Sequence, residues 1–213
     1  MVSTNLEDNN MRTIDDYWVW LACSEKDSAL IKKIPDDCPE SWELLEGDPI
    51  AEQFPETVRL KFSPSYPDNI RLYDFVDNTK LVRIVSKRVR AIFDQFSIDQ
   101  VEYIPVEIMD HRGNLASSDY FLMNVMNTQP IIDMERAKYK MCTIEEDQIS
   151  HFAEIRLSTK QVDMDASIFR SDRRASLYFM TDDVVQAIKA AGLTGLKVVK
   201  AEGWDTNTLS FDY

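Results

Sequence analysis

Apolar residues in the middle of the chain recur with the spacing of a helix. Between residues 78 and 96 they follow one another at steps of four, four, three, one and three, which is the period of one helix face. They are Leu81, Val85, Val89, Ile92, Phe93 and Phe96. The spacing predicts a helix over residues 79–96 whose apolar face packs against a sheet.

Basic residues fill the other positions of the same stretch. They are Lys80, Arg83, Lys87, Arg88 and Arg90, and no acid lies between Lys80 and Phe93. Such a face can bind phosphates, or it can be a solvated face that pairs with acids of the surrounding chain. It lacks the interleaved aromatic residues that are typical of proteins that bind single-stranded nucleic acid.

A hairpin is predicted after this helix. Residues 101–108 and 120–127 have strand-like patterns, and Asp110-His111-Arg112-Gly113-Asn114 between them is typical of a turn. Pro105 has no backbone N–H, so we expect it at a sheet edge or a bulge.

The remaining elements are predicted from shorter patterns. Residues 17–22 are apolar on both faces, which indicates a central strand. Six of the eight prolines lie in residues 25–67, where Pro39 could begin a short helix. Thr181 is a suitable N-cap for a helix through residue 191, which Gly192 would end. Further strands are predicted at residues 70–76, 149–157, 167–170, 175–180 and 196–201.

Together these elements predict an α+β fold in which a mainly antiparallel sheet packs against a few helices, with a loop-rich N-terminal portion. We expect residues 1–12 to be a disordered tail. Residues 13–76 would form the loop-rich α+β portion and residues 77–213 a C-terminal α+β portion. The two portions are expected to make one compact unit.

Charge restricts the choice of partner. The chain has 37 acids and 24 bases, a net charge of -13, and its first 60 residues hold 14 acids and 5 bases. This balance disfavours direct binding to nucleic acid or anionic membrane and favours a basic protein. No secretory signal or membrane-spanning stretch is visible, so a cytoplasmic location is expected. Cys23, Cys38 and Cys142 are dispersed, as reduced thiols would be.

The sequence offers little organised chemistry. Two histidines and three dispersed cysteines have no zinc-ligand spacing, and the five glycines form no phosphate-binding loop. No cofactor is therefore expected. Pairs of carboxylates could perform acid–base or metal-ion chemistry, or could belong to turns and helix caps. The pairs are Asp163 with Asp165, Asp133 with Glu135, and Asp182 with Asp183.

Several runs within residues 45–198 together resemble a family of bacterial polymorphic-toxin immunity proteins, immunity-11-like, formerly a domain of unknown function. In chain order these runs are Gly47-Asp48-Pro49, Ile84-Val85-Ser86-Lys87-Arg88-Val89, Val101-Glu102-Tyr103-Ile104-Pro105-Val106, Tyr120-Phe121-Leu122-Met123-Asn124-Val125, Asp133-Met134-Glu135-Arg136, Ile168-Phe169-Arg170 and Gly192-Leu193-Thr194-Gly195-Leu196. The resemblance implies a cytoplasmic protein without enzymatic activity, encoded beside a toxin that it binds and blocks.

The resulting hypothesis is a stoichiometric inhibitor of a basic toxin. Glu40, Trp42, Glu43, Glu46 and Asp48 are the candidate toxin-binding residues, because acids cluster there beside an aromatic residue in a loop-rich region. Two alternatives stay open. One is a metal-dependent nuclease or transferase that uses dispersed carboxylates, and the other is an interaction protein unconnected with toxins.

Overall fold

The computed structural model describes residues 12–21, 25–96, 98 and 100–206, and these form thirteen strands and three α-helices. The strands are β1 Tyr17–Leu21, β2 Leu30–Ile31, β3 Val58–Lys61, β4 Phe75–Asn78, β5 Arg83–Ser86, β6 Val101–Met109, β7 Leu115–Val125, β8 Thr128–Gln129, β9 Lys138–Met141, β10 Ile149–Glu154, β11 Ile168–Ser171, β12 Arg174–Thr181 and β13 Lys197–Lys200. The helices are α1 Glu43–Glu46, α2 Lys87–Phe93 and α3 Asp182–Ala190. Strand pairing is mostly antiparallel, and the α+β prediction is confirmed.

Most strands belong to two sheets. The five-stranded sheet has the order β13-β1-β12-β11-β8, and the six-stranded sheet has the order β2-β4-β5-β7-β6-β3. Strands β9 and β10 form a separate two-stranded ribbon. The predicted central position of the first strand is confirmed, because β1 lies between β13 and β12. Residues before 77 supply strands to both sheets, and the division of the chain at residue 76 stays a prediction.

The two sheets meet in a shared apolar cluster. Trp20 and Tyr178 enter it from the five-stranded sheet, and Phe75 and Val85 enter it from the six-stranded sheet. Helices α2 and α3 contribute to the same cluster and contact one another. Each sheet has a further apolar cluster of its own. The shared cluster therefore fixes how one sheet sits against the other.

The predicted helix over residues 79–96 is wrong in its first half. Residues 83–86 form β5, which is buried at all four positions and pairs with β4 and β7. Leu81, expected on the buried face, is 51% exposed and has φ +61°. Ser86 accepts a hydrogen bond from the Val89 N–H, so α2 begins only at Lys87. An apolar run with a neighbour strand on both sides fits a central strand, and periodicity alone does not distinguish that strand from a helix.

The predicted basic face is not formed either. Arg83 is buried between the rings of Trp20 and Tyr178, with its guanidinium carbon 4.8 and 4.2 Å from their centroids. Arg88 pairs with the buried Asp74 at 3.0 Å. Arg90 lies over the ring of Tyr103. A helix would have placed these arginines on one face, but the strand-to-helix change at Ser86 directs them to different parts of the interior and surface.

The hairpin and the C-terminal helix agree with their predictions. Strands β6 and β7 flank the turn at residues 110–114, where Asp110 accepts hydrogen bonds from the backbone N–H groups of Arg112 and Asn114. Pro105 pairs with Phe121 of β7 and lies one residue before the pairing of β6 with β3, which begins at Val106. Helix α3 follows Thr181 and ends before Gly192.

Two elements begin several residues later than predicted. Strand β4 begins at Phe75, not at residue 70, and Ile70 is 65% exposed. Helix α1 begins at Glu43, so Pro39 precedes it instead of starting it. Cys23 and residues 1–11 of the predicted N-terminal tail lie outside the described residues.

Val89 offers a test of the shared cluster, because it is fully buried there. We expect Val89→Asp to lower the free energy of unfolding by about 3 kcal/mol or more, since it places an unpaired charge in an apolar interior. Chemical denaturation followed by circular dichroism measures this. Ala91→Asp is the control, because Ala91 is exposed on the same helix. Equal stability of the two variants would contradict the burial of this face.

Candidate functional site

The connection between β2 and β3 contains a stretch that is rich in acids and has no lysine or arginine. We call residues 36–56 the acidic segment. It contains eight acids and no lysine or arginine, and it includes α1. The acids are Asp36, Asp37, Glu40, Glu43, Glu46, Asp48, Glu52 and Glu56, and all except the half-buried Glu43 are exposed.

Four of the five predicted site residues point to solvent. The side chains of Glu40, Glu46 and Asp48 are exposed, and they make no hydrogen bond or ion pair within the described part of the chain. The neighbouring Trp42 is 57% exposed, which is unusual for so large an apolar side chain. The structure thus places an aromatic residue and three unpaired carboxylates on one short stretch of surface.

Glu43, the fifth predicted site residue, is half-buried and makes a hydrogen bond within the segment. Its carboxylate accepts a hydrogen bond from the Glu40 N–H at 2.8 Å, which fixes the turn before α1. The next residue, Leu44, is 3% exposed and packs into the apolar cluster of the six-stranded sheet. Glu43 and Leu44 therefore hold the helix, while Trp42 and Glu46 beside them remain accessible.

The end of α1 is held by an arginine from the other sheet. Arg170 of β11 donates hydrogen bonds to the carbonyl oxygens of Leu45 and Glu46. Gly47 ends the helix with φ +84°, and a Cβ there would lie 1.5 Å from Arg170 Nη2. Glycine is required at this position both for its backbone conformation and for the close approach of the guanidinium.

Two polar residues of the six-stranded sheet hold the following residues. Asn124 of β7 donates a hydrogen bond from Nδ2 to the Asp48 carbonyl oxygen at 2.9 Å and another to Glu102 Oε2 at 3.0 Å. The same carboxylate oxygen of Glu102, on β6, accepts hydrogen bonds from the N–H groups of Ile50 at 2.9 Å and Ala51 at 3.3 Å. We call Arg170, Asn124 and Glu102 the anchor of the acidic segment.

One anchor residue, Arg170, is a buried cation. Arg170 is 1% exposed, and burial lowers the pKa of its guanidinium, with Tyr178 and Asp48 partly offsetting the shift. No carboxylate forms a salt bridge with Arg170 within the described chain; its hydrogen-bond partners are helix carbonyls. This is a favourable place for a cation, because the carbonyl end of a helix carries partial negative charge.

The anchor was not predicted from the sequence, although the runs that contain it were noticed. Arg170 lies in the run Ile168-Phe169-Arg170, and Asn124 and Glu102 lie in the runs at residues 120–125 and 101–106. The available signal for each anchor residue was its polar side chain within a mostly apolar run. The partners could not be inferred, because the contacts with the acidic segment join residues that are 51 to 125 positions apart.

The carboxylate pairs considered as catalytic groups make hydrogen bonds within the protein. Asp133 accepts hydrogen bonds from two backbone N–H groups of its own turn and pairs with Arg136 at 2.6 Å, which holds the pKa of Asp133 below its usual value. Asp163 accepts a hydrogen bond from the Asp165 N–H. Asp182 accepts one from the Trp18 indole N–H at 2.7 Å. Each pair thus has at least one member that serves a turn or links elements.

Two further features of the described residues concern metal binding and membrane crossing. No group of three or more His, Cys, Asp or Glu side chains in that part of the chain is arranged to hold a metal ion. Among the helices described there, none is both long and apolar enough to cross a membrane.

Comparison with known families places the chain in a class, the immunity proteins. Residues 4–203 of the 213 match the family described as Immunity protein family (Imm11), and the chain belongs to that family. The resemblance inferred from the seven sequence runs is thereby confirmed. A search of curated proteins found no match.

Gly47 tests the contact between the anchor and α1. We expect Gly47→Ala to lower the free energy of unfolding by more than about 2 kcal/mol, because alanine disfavours this backbone conformation by roughly 1–2 kcal/mol and its methyl group would also displace Arg170. Thermal and chemical denaturation measure the change.

The matched control for Gly47→Ala is Gly113→Ala. Gly113 has a similar φ of +81°, but a Cβ there would have no atom within 4 Å. Gly113→Ala should therefore lower the free energy of unfolding only by the cost of the backbone conformation. Equal losses in the two variants would show that the close approach of Arg170 contributes nothing.

Proposed function

We propose that this protein binds a cognate polymorphic toxin in the cytoplasm of the bacterium that produces it and blocks the toxin by stoichiometric contact. The observation that carries the proposal is membership of the Immunity protein family, which implies a toxin as partner. The toxin is expected to be the product of a neighbouring gene. Its neutralisation would protect the producer during competition between bacteria.

The partner we propose is a basic protein, with a nuclease domain as one example. The net charge of -13 supports this, since complementary fields accelerate association and disfavour acidic competitors. Direct binding to nucleic acid or to a membrane is not part of the proposed function.

The contact surface we propose is the outer face of the acidic segment, built from Glu40, Trp42, Glu46 and Asp48 with Glu43 beneath it. Carboxylates without internal partners leave their field available to a partner. An exposed tryptophan can supply a large apolar contact at small cost in side-chain entropy, and tryptophan is enriched among residues that dominate binding energy.

Co-expression tests the proposed function. We expect this chain to abolish the toxicity of the neighbouring gene's product and to co-purify with it. In a titration of the purified toxin, inhibition should become complete when the two proteins are present in about equal molar amounts, because a binder is consumed while a catalyst is not. Complete inhibition at a small fraction of the toxin concentration would contradict a stoichiometric mechanism. Such activity would identify an enzyme if it required Mg²⁺ or Mn²⁺ and disappeared in Asp133→Ala or Asp163→Ala.

Charge reversal tests the proposed surface. We expect a triple variant, Glu40→Lys with Glu46→Lys and Asp48→Lys, to slow association with the toxin at least about tenfold at low salt and to flatten its salt dependence. Glu43 stays unchanged because its carboxylate holds the helix start. Stopped-flow kinetics from about 50 to about 500 mM salt measure the effect.

The ribbon of β9 and β10 supplies the matched control. Its connection contains the exposed acids Glu145, Glu146 and Asp147, and reversing all three changes the net charge by the same amount. We expect this control to retain most of the association rate. If instead the control slowed association and the first triple variant did not, the proposed surface would be wrong.

A further inference from the structure

The anchor contacts the acidic segment in an unusual way, because it binds only the main chain. Arg170 reaches the carbonyls at residues 45 and 46, Asn124 reaches the carbonyl at 48, and Glu102 reaches the N–H groups at 50 and 51. Five backbone groups within seven residues are thus fixed from beneath. The side chains of Glu46 and Asp48, on the same stretch, stay exposed.

Two buried polar atoms of the anchor lack a hydrogen-bond partner among the described residues. They are Arg170 Nε and Asn124 Oδ1. A buried polar atom without a partner destabilises a protein, and an apolar residue at the same place would avoid that cost. Arg83 Nε is buried and unpaired within the described chain as well, so the unpaired atoms do not by themselves mark a functional site. What distinguishes the anchor is that its hydrogen bonds reach the segment that carries the exposed acids.

We propose that Arg170, Asn124 and Glu102 are positioning residues that hold residues 45–51 in the conformation the toxin recognises before the toxin arrives. This inference rests on the proposed function and adds to it the residues that prepare the surface. None of the three would need to touch the toxin.

A prepared surface has a kinetic consequence. When only a fraction of the molecules has the binding conformation, the apparent affinity falls by that fraction. If the conformations interchange faster than the toxin binds, the loss lies in the association rate, and the dissociation rate is unchanged. Loss of a direct contact acts mostly on dissociation instead.

Arg170→Lys is the test variant. It keeps the charge but removes the planar fork that reaches two carbonyls at once. Arg83→Lys is the matched control. Arg83 is also a buried arginine near Tyr178, but it donates its hydrogen bond to the Trp20 carbonyl and does not touch the acidic segment.

The first measurement uses the full-length protein without a partner. We expect Arg170→Lys to accelerate amide hydrogen exchange at residues 45–51 at least about tenfold, because local opening becomes easier. Exchange there should be unchanged in Arg83→Lys. Equal exchange at residues 45–51 in the wild type and in Arg170→Lys would overturn the proposal, as would equal acceleration in both variants.

The second measurement uses the product of the neighbouring gene as the binding partner. We expect Arg170→Lys to slow association about tenfold while dissociation stays within about twofold and the salt dependence keeps its slope, since no charge is removed. Faster exchange with unchanged association would overturn the positioning role. If the wild-type chain did not bind that protein at all, the proposed function would fail, and the exchange comparison would still decide whether Arg170 holds the segment.

Asn124→Ala serves if Arg170→Lys does not fold. It removes the hydrogen bonds from Asn124 to the Asp48 carbonyl and to Glu102 but keeps the Glu102 side chain that accepts from residues 50 and 51, so the same two measurements apply. Faster exchange at residues 45–51 together with slower association would support the proposal. Native exchange there would overturn it.

Discussion

The packing of one sheet against the other is the constraint on which the other features depend. Trp20 and Tyr178 of one sheet meet Phe75 and Val85 of the other in a single apolar cluster, which also receives α2 and α3. Polar contacts between sheets occur beside it. Arg83 of the six-stranded sheet stacks on the two aromatic residues and donates a hydrogen bond to the Trp20 carbonyl. Because the sheets are fixed in this way, Arg170 of one sheet can reach a segment attached to the other.

Part of the positive charge of this protein lies in its interior, on arginine side chains. Arg83 and Arg170 are buried, and Arg174 is partly buried and has its pKa lowered by the same desolvation. Positive charge is thus used inside the protein to join elements, and most acids of the acidic segment stay outside. Asp74 is the one buried acid in the described part of the chain, so the two buried arginines exceed it by a single charge. The negative field that a partner meets is therefore set mainly by where the exposed acids lie, as in the acidic segment.

How much could be predicted from the sequence depended on the range of the interactions involved. The turn at residues 110–114 and the end of α3 follow from nearby residues, through Asp110 and Gly192, and they were predicted. Thr181 precedes α3 as predicted, although its side chain makes no capping hydrogen bond within the described chain. Strand β5 was not, because its four residues are buried by strands distant in sequence, which makes an apolar run compatible with helix or strand. The grouping of Trp42 with its neighbouring acids in a loop-rich region was inferred from the sequence. Their support was not, because it consists of contacts from three strands that only the tertiary fold brings together.

In the acidic segment the main chain is held by other residues while most acidic side chains stay exposed. This explains how the segment can be both highly charged and ordered. Eight acids without a basic residue repel one another, and such runs are commonly disordered. Here order comes from Leu44 in the core and from hydrogen bonds to the main chain at residues 45–51, so it does not require the exposed carboxylates to pair internally. In water, repulsion between neighbouring exposed charges is only about 1 kcal/mol at 4 Å and less when they are farther apart. A few buried contacts to the main chain can therefore fix the segment while its carboxylates remain available to a partner.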